Sequence, residues 1–329
     1  MLIKNTSTHV YLGEVICQSL TNKTNIASKV YKCQGIKNDI LFILNNIFYG
    51  DNFFDIVKLL RNSMFLSVLL GNCEIWPNVT KYNIKCLESC DRNFLAQVMG
   101  ISSKGSYVLM LLEGGMLPIR YIIISRRLSY LQTLLKSDPS SLAKQVFLEQ
   151  CKNMNKQDWS NQILEDLKEL EISLSFNEIE QQSKYMFKKL VKQACFKAAF
   201  RYLINEKQKL SKGANLEYLS LKTQSYLRSG TGLSTQDIKE IFSIRTRNLF
   251  LKTNFPGMFS DDKCVKKPCN ERDTEFHLFN SDCFKKENTI VQINLDYNQI
   301  FSNDVSKQKL IKDIIIDRYK TRSNILSSM

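Results

Sequence analysis

The sequence predicts a mainly α protein. A helical bundle follows a short N-terminal β-strand or hairpin and precedes a second helical domain that carries a small Cys/His module. Three observations lead there. Apolar residues recur at spacings of three and four, as in Phe54, Val57, Leu60, Met64 and Val68, which is the pattern of amphipathic helices. Only 12 Gly and 5 Pro interrupt 329 residues, 43% of which are hydrophobic, so collagen, mucin and wholesale disorder are excluded. Three of the ten Cys, namely Cys264, Cys269 and Cys283, lie close to His277.

Composition also bounds the partner. The chain has 46 Lys and Arg against 32 Asp and Glu, a net +14 at pH 7, which favours an anionic partner such as nucleic acid or anionic lipid. Met1–Val10 lack the charged start and apolar run of a secretory signal, so a cytoplasmic or nuclear address is expected. The most apolar stretches, Met64–Leu70 and Ile119–Ile124, fall far short of the ~20 residues that span a bilayer. They read as buried core, and no membrane partner is expected. Ten Cys in a chain this long are too dilute for a disulfide framework. The sequons at Asn5, Asn22 and Asn78 carry little weight without secretion.

The elements follow in order. His9–Ile16 is rich in β-branched and aromatic residues and precedes the polar run Ser19–Asn25, so it reads as a strand and turn. Helices are expected over residues 25–46, before Gly50, and over 52–73. Thr80 is the expected N-cap of a third helix that runs to Met99, and Pro118 suits the first turn of a fourth, where a missing N–H costs nothing. Ser137-Asp138-Pro139-Ser140-Ser141 is the expected linker. Beyond it helices are expected over 142–152, 158–170 and 177–209, with a last one over 303–319 and a frayed tail. From Gln181 to Lys252 there are 15 Lys and Arg against 4 Asp and Glu, so the excess positive charge is concentrated there. Lys184, Lys188 and Lys192, with Lys189 alongside, form a ridge at one-turn spacing.

The sharpest local signal is Cys264-x4-Cys269-x7-His277-x5-Cys283. Three thiolates and an imidazole complete a tetrahedral shell, and the first gap suits a structural Zn²⁺. Asp273 or Thr274 is expected to cap a short helix bearing His277, with Pro268 and Asn270 turning the chain. Four closed ligands leave no position for water, so the expected role is a fold staple. Phosphate-binding, nucleophile-elbow and H-E-x-x-H motifs are absent. His9 reads as a surface or packing residue, and Asp261-Asp262 as a solvated turn. Arg120 and Arg127, seven residues apart with Arg126 beside them, share a helix face that could meet successive phosphates.

The order Tyr11-Leu12-Gly13, Leu60-Arg61-Asn62-Ser63, Glu74-Ile75-Trp76, Leu87-Glu88-x2-Asp91, Glu113-x-Gly115-x-Leu117-Pro118-Ile119-Arg120 and Arg126-Arg127-Leu128-x-Tyr130-Leu131 closely resembles the region downstream of the active site in non-LTR (LINE-type) retrotransposon reverse transcriptases. Asp273-Thr274-Glu275-x-His277-Leu278 before Cys283 resembles the zinc knuckle near the C-terminus of many such elements, although Cys-x4-Cys departs from the commoner Cys-x2-Cys. The resemblance covers about residues 9–136 and 261–284.

It implies that residues 1–22 are a remnant of the palm with its primer-grip hairpin at Tyr11 and Gly13. Residues 23–136 would be a helical thumb-like domain, 137–141 a linker, 142–257 a basic helical connector, and 258–329 the zinc-knuckle module and C-terminal helix. The family's Asp-Asp hairpin, which holds Mg²⁺ for two-metal catalysis, should precede Tyr11, yet Met1–Val10 contain no Asp or Glu. The chain is therefore expected to be a catalytically inactive fragment of an RNA-directed DNA polymerase, with a structural zinc and no Mg site. Its expected ligand is RNA, DNA or their hybrid, met through phosphate by Tyr11, Gly13, Arg61, Arg120, Arg126, Arg127, Lys184, Lys188, Lys189 and Lys192. An intact reverse transcriptase acting in trans is a further implied partner. Two alternatives stay open at this point: a zinc-stapled helical scaffold that binds acidic protein surfaces, and an inert remnant of a truncated element.

Overall fold

The computed structural model describes residues 8–11, 14–17, 22–46, 50–153, 155, 158–210, 216–249, 251–254, 259–266, 269–274, 277–278, 283 and 303–327. It is mainly helical. At the N-terminus β1 (Thr8–Tyr11) pairs antiparallel with β2 (Glu14–Cys17), with Thr8 opposite Cys17 and Tyr11 opposite Glu14. This two-stranded hairpin lies in the segment where the sequence reads a β-strand or hairpin. Gly13 and Pro268 lie outside the described residues. Among the described residues no single helix is long and apolar enough to cross a membrane.

The chain divides into two compact units, each discontinuous in sequence: residues 1–47, 58–94 and 117–203 in the first, and 48–57, 95–116 and 204–329 in the second. The boundary expected at 137–141 falls inside the first unit. The physical reason is Lys144, whose buried ammonium donates to the Leu135 and Ser137 carbonyls and meets Glu180 at 3.1 Å. These bonds tie the helix after the turn back onto the one before it.

In the first unit α1 (Lys23–Asn46) packs against a π-helical turn (Arg61–Phe65) and α3 (Leu66–Leu69). That turn interrupts the single helix expected over 52–73, of which α2 (Phe53–Leu60) is the first part. Phe65 stacks on Phe94 of α4 (Lys81–Val98) with ring centroids 4.4 Å apart. Thr80 caps α4 as expected: its Oγ1 accepts from Asn83 N, and Asn83 Oδ1 accepts from Thr80 N. Around α6 (Ile119–Leu135) gather α7 (Leu142–Lys152), α8 (Trp159–Glu169) and α9 (Phe176–Gln181). Their junction is aromatic, with Trp159 edge-on to both Tyr130 and Phe147, and Phe147 edge-on to Phe176. A single helix is expected over 177–209, but the chain breaks at Gln182, whose ψ of 147° is extended. Its carbonyl is taken by Gln132 and Lys136, and Ser183 Oγ then accepts from Met186 N to start α10 (Lys184–Gln208).

The second unit is built on α5 (Tyr107–Gly114) and α11 (Thr235–Arg245), neither of which is among the helices read from sequence. Glu113 is fully buried at the end of α5 and accepts from Tyr218, from Tyr226 at 3.0 Å and from Arg245 Nε at 2.8 Å. Each partner meets a carboxylate oxygen, which is what a buried charge needs to be tolerated. α12 (Val305–Ser327) packs on α11 and runs beyond the end expected near residue 319. The reason is Arg322, fully buried and paired bidentately with Asp273. A helix end holding a buried ion pair does not fray.

Candidate nucleic-acid interface and metal centre

The described arginines divide into interior braces and surface groups. Arg61 is 2% exposed and donates through Nε and Nη2 to Asp91 at 2.9 and 2.6 Å. Arg127 is 2% exposed and donates to Asp166 Oδ2 at 2.6 Å. Sequence pattern places both at phosphate. They are corrected to core residues, because a guanidinium already neutralised and out of reach of solvent has no donor to offer a phosphate. Arg120 and Arg127 do share a face of α6, but that face meets α8, where Glu169 takes Arg120 at 2.8 Å and Asp166 takes Arg127. The spacing is right and the anions are the protein's own. Glu169 also accepts from Tyr121 at 2.9 Å.

Arg126 turns the other way. It donates to the Leu70 carbonyl at 2.7 Å and lines a cleft of about 570 Å³ within the first unit, together with Lys184 and Lys188 of α10, the acidic Glu74 and the neutral Asn72, Ser129 and Thr133. Ser129 and Thr133 give their hydroxyl protons to the carbonyls four residues back, so lone pairs are what they present. Lys184, Lys188, Lys189 and Lys192 are all exposed. None has a carboxylate within ion-pair reach among the described residues, whereas Lys197 and Arg201 further along α10 both meet Glu171. The concentration of charge read from sequence is therefore reduced by internal pairing, but the ridge is not. Tyr11 ends β1, and only its backbone is described.

In the second unit the chain folds Cys264, Cys269, His277 and Cys283 into a cluster whose four donor atoms all lie within 4.8 Å of one another, an arrangement that can hold a metal ion. An antiparallel bridge between Lys263 and Arg272 folds the strand back on itself, with Cys264 N donating to the Glu271 carbonyl and Asp273 N to that of Asp262, both at 2.7 Å. Lys266 N points at Cys264 Sγ from 3.4 Å, and Cys269 N closes the turn onto the Lys266 carbonyl. Thr274 Oγ1 accepts from His277 N at 3.1 Å and so caps the turn that carries the imidazole.

The ring is oriented from outside the cluster. His277 Nδ1 lies 2.7 Å from Glu271 Oε2, so Nδ1–H donates there and the Nε2 lone pair faces Cys269 Sγ at 3.7 Å. Burial pushes the Cys264 thiol up to about 12, offset by the Lys266 N–H and reinforced by Cys283 and Cys269. A bound cation would draw the Cys264 proton off. Asp261 and Asp262 turn to Lys252 and Arg272, not to the cluster.

Sequence reasoning missed Glu271, the Asp273–Arg322 clasp and the neutral wall of the cleft. Glu271 carried a usable signal, as an acid six residues before a candidate ligand histidine. The clasp carried none, because its partners are 49 residues apart. No family model, no curated protein and no solved structure matches this chain.

Proposed function

We propose that the protein is a non-catalytic nucleic-acid-binding module whose C-terminal part is stapled by a structural zinc ion. The observation that carries the binding role is the set of four exposed α10 lysines without acidic partners among the described residues, two of which line one cleft with Arg126. Like charges one turn apart repel by a few tenths of a kcal/mol per pair, and a phosphate chain laid along them relieves that repulsion. The resemblance to the thumb and C-terminal region of non-LTR reverse transcriptases supports the same reading.

Zinc is favoured over other cations by the donor set. Three soft thiolates and one imidazole in a closed tetrahedron suit Zn²⁺, for which sulfur–sulfur separations of about 3.8 Å follow from ordinary Zn–S bonds. A closed shell gives the ion no water to activate, so its role is mechanical.

The binding role is tested by a variant with Lys184, Lys188, Lys189 and Lys192 changed to Gln. Affinity for RNA and DNA should fall in parallel, and the slope of log K against log salt should flatten by about 0.7 to 0.9 for each phosphate no longer neutralised. Unchanged affinity and unchanged slope on single-stranded, duplex and hybrid ligands would leave the ridge a solvated helix face.

A further inference from the structure

Tyr185 sits in the middle of the lysine surface, and phosphate contact makes no use of it. It is 72% exposed. Neither its hydroxyl nor its ring has a partner among the described residues. At about 100° of rotation per residue, its direction on α10 falls between those of Lys192 and Lys189, with Lys188 and Lys189 one turn further along. The helix meets its own packing needs elsewhere, because Phe187, Val191 and Cys195 form the buried stripe. The next residue, Met186, is also exposed.

A bare aromatic ring surrounded by unpaired ammonium groups matches the two demands of an unpaired nucleotide strand, whose bases need a π-face and whose backbone needs cations. A duplex stacks its bases on one another and leaves no face for the ring. We propose that Tyr185 is a base-stacking residue and that the α10 surface binds single-stranded nucleic acid, with bases on the Tyr185 ring and phosphates on Lys184, Lys188, Lys189 and Lys192. This rests on the nucleic-acid reading above and names the form of its ligand.

Stacking needs the ring and not the hydroxyl. Tyr185→Phe should therefore bind a short mixed-sequence single strand, RNA or DNA, as wild type does. Tyr185→Ala should weaken it roughly 5- to 150-fold, the range expected when one base–aromatic stack is removed. The salt slope should stay unchanged in both variants, since every phosphate keeps its lysine. Fluorescence anisotropy on the full chain reads these effects, with a duplex of the same sequence, an abasic single strand and poly-glutamate as further probes. Tyr185→Ala should bind each of these three as wild type does.

Single-strand binding unchanged in Tyr185→Ala but abolished in the quadruple lysine variant would overturn the stacking role and leave phosphate contact standing. Tighter binding of duplex than of single strand would also overturn it. No binding of any nucleic acid by the folded wild-type chain would remove both readings, and binding of poly-glutamate alone would assign the ridge to acidic polypeptides. The exposed position of Tyr185 makes a folding defect in either variant visible as a changed melting temperature, against which the affinities are checked.

Discussion

Asp166 lies against Arg127, yet burial outweighs the attraction of the guanidinium and pushes its carboxyl up to about 6. The pair is incompletely solvated by the protein, since Arg127 Nε has no hydrogen-bond partner among the described residues. An acid with a folded pKa above its unfolded value holds a proton in the folded state that the unfolded chain has already released. Its contribution to stability therefore falls as pH rises through that window, here from about pH 4 to about pH 6. Across it the wild type should lose about 2 kcal/mol relative to Asp166→Asn, which does not titrate. Urea unfolding of both proteins at the two ends of the window checks this, and a difference that does not vary with pH would contradict it. The same pair shows why sequence pattern misplaces the arginines. Arg61 and Arg127 look like any surface cation on an amphipathic helix, and the carboxylates that claim them lie 30 and 39 residues away. Local pattern carries no trace of such partners. The same local pattern puts the α10 lysines on the surface, and there no distant acid intervenes among the described residues.

Helices with one apolar stripe and a clear start signal were legible: α4 lies within a residue or two of the ends expected at Thr80 and Met99, and α6 starts right after Pro118. α5 was not legible, because its run Val108–Glu113 is buried or nearly so on every side and shows no polar face to set a period. α11 did carry a readable signal in Ser234-x-x-Asp237, a capping box in which Ser234 Oγ accepts from Asp237 N at 3.1 Å and the Asp237 carboxylate takes Ser234 N at 3.0 Å. The break between α9 and α10 depends on side chains of α6 and so lies beyond any local reading. Gly115 shows how tightly the α5 end is specified. It has φ +60° and closes α5, with Met116 N donating back to the Leu111 carbonyl, and a Cβ there would run into the backbone of Lys222 and Thr223. Gly115→Ala carries about 1–2 kcal/mol for the left-handed conformation and a clash with backbone that cannot swing aside. We expect a loss of at least about 2 kcal/mol by denaturant unfolding, with Gly230→Ala as the comparison: φ +84° there meets open space, so only the conformational part should appear.

At the scale of the whole molecule, the Cys/His loop of the second unit is one end of a chain of buried and half-buried charges. Asp273 follows the bridge that shapes the loop, pairs with Arg322 of α12 and accepts from Lys252 N. Arg318, one turn earlier on α12, donates to the Leu278 carbonyl just after His277. Further along, Lys312 pairs with Asp237 of α11, and Arg245 at the end of α11 reaches Glu113. Among the described residues the loop's backbone bonds are concentrated at one bridge and a few turns, so an ion held by the four ligands would brace Asp273 and the Leu278 carbonyl. Losing a zinc ion bound there would leave the Arg322 charge buried in a helix whose partner loop has loosened, a situation that costs several kcal/mol and is relieved by releasing α12. We therefore expect one Zn²⁺ per chain, and expect chelator treatment or Cys269→Ser to increase amide hydrogen exchange along 305–327 and in the 262–274 loop. Cys151→Ser, which touches no part of the cluster, should change neither. Exchange in α12 that is identical with and without chelator, in protein shown by metal analysis to have lost its zinc, would mean that the Asp273–Arg322 clasp holds the helix without help from the metal.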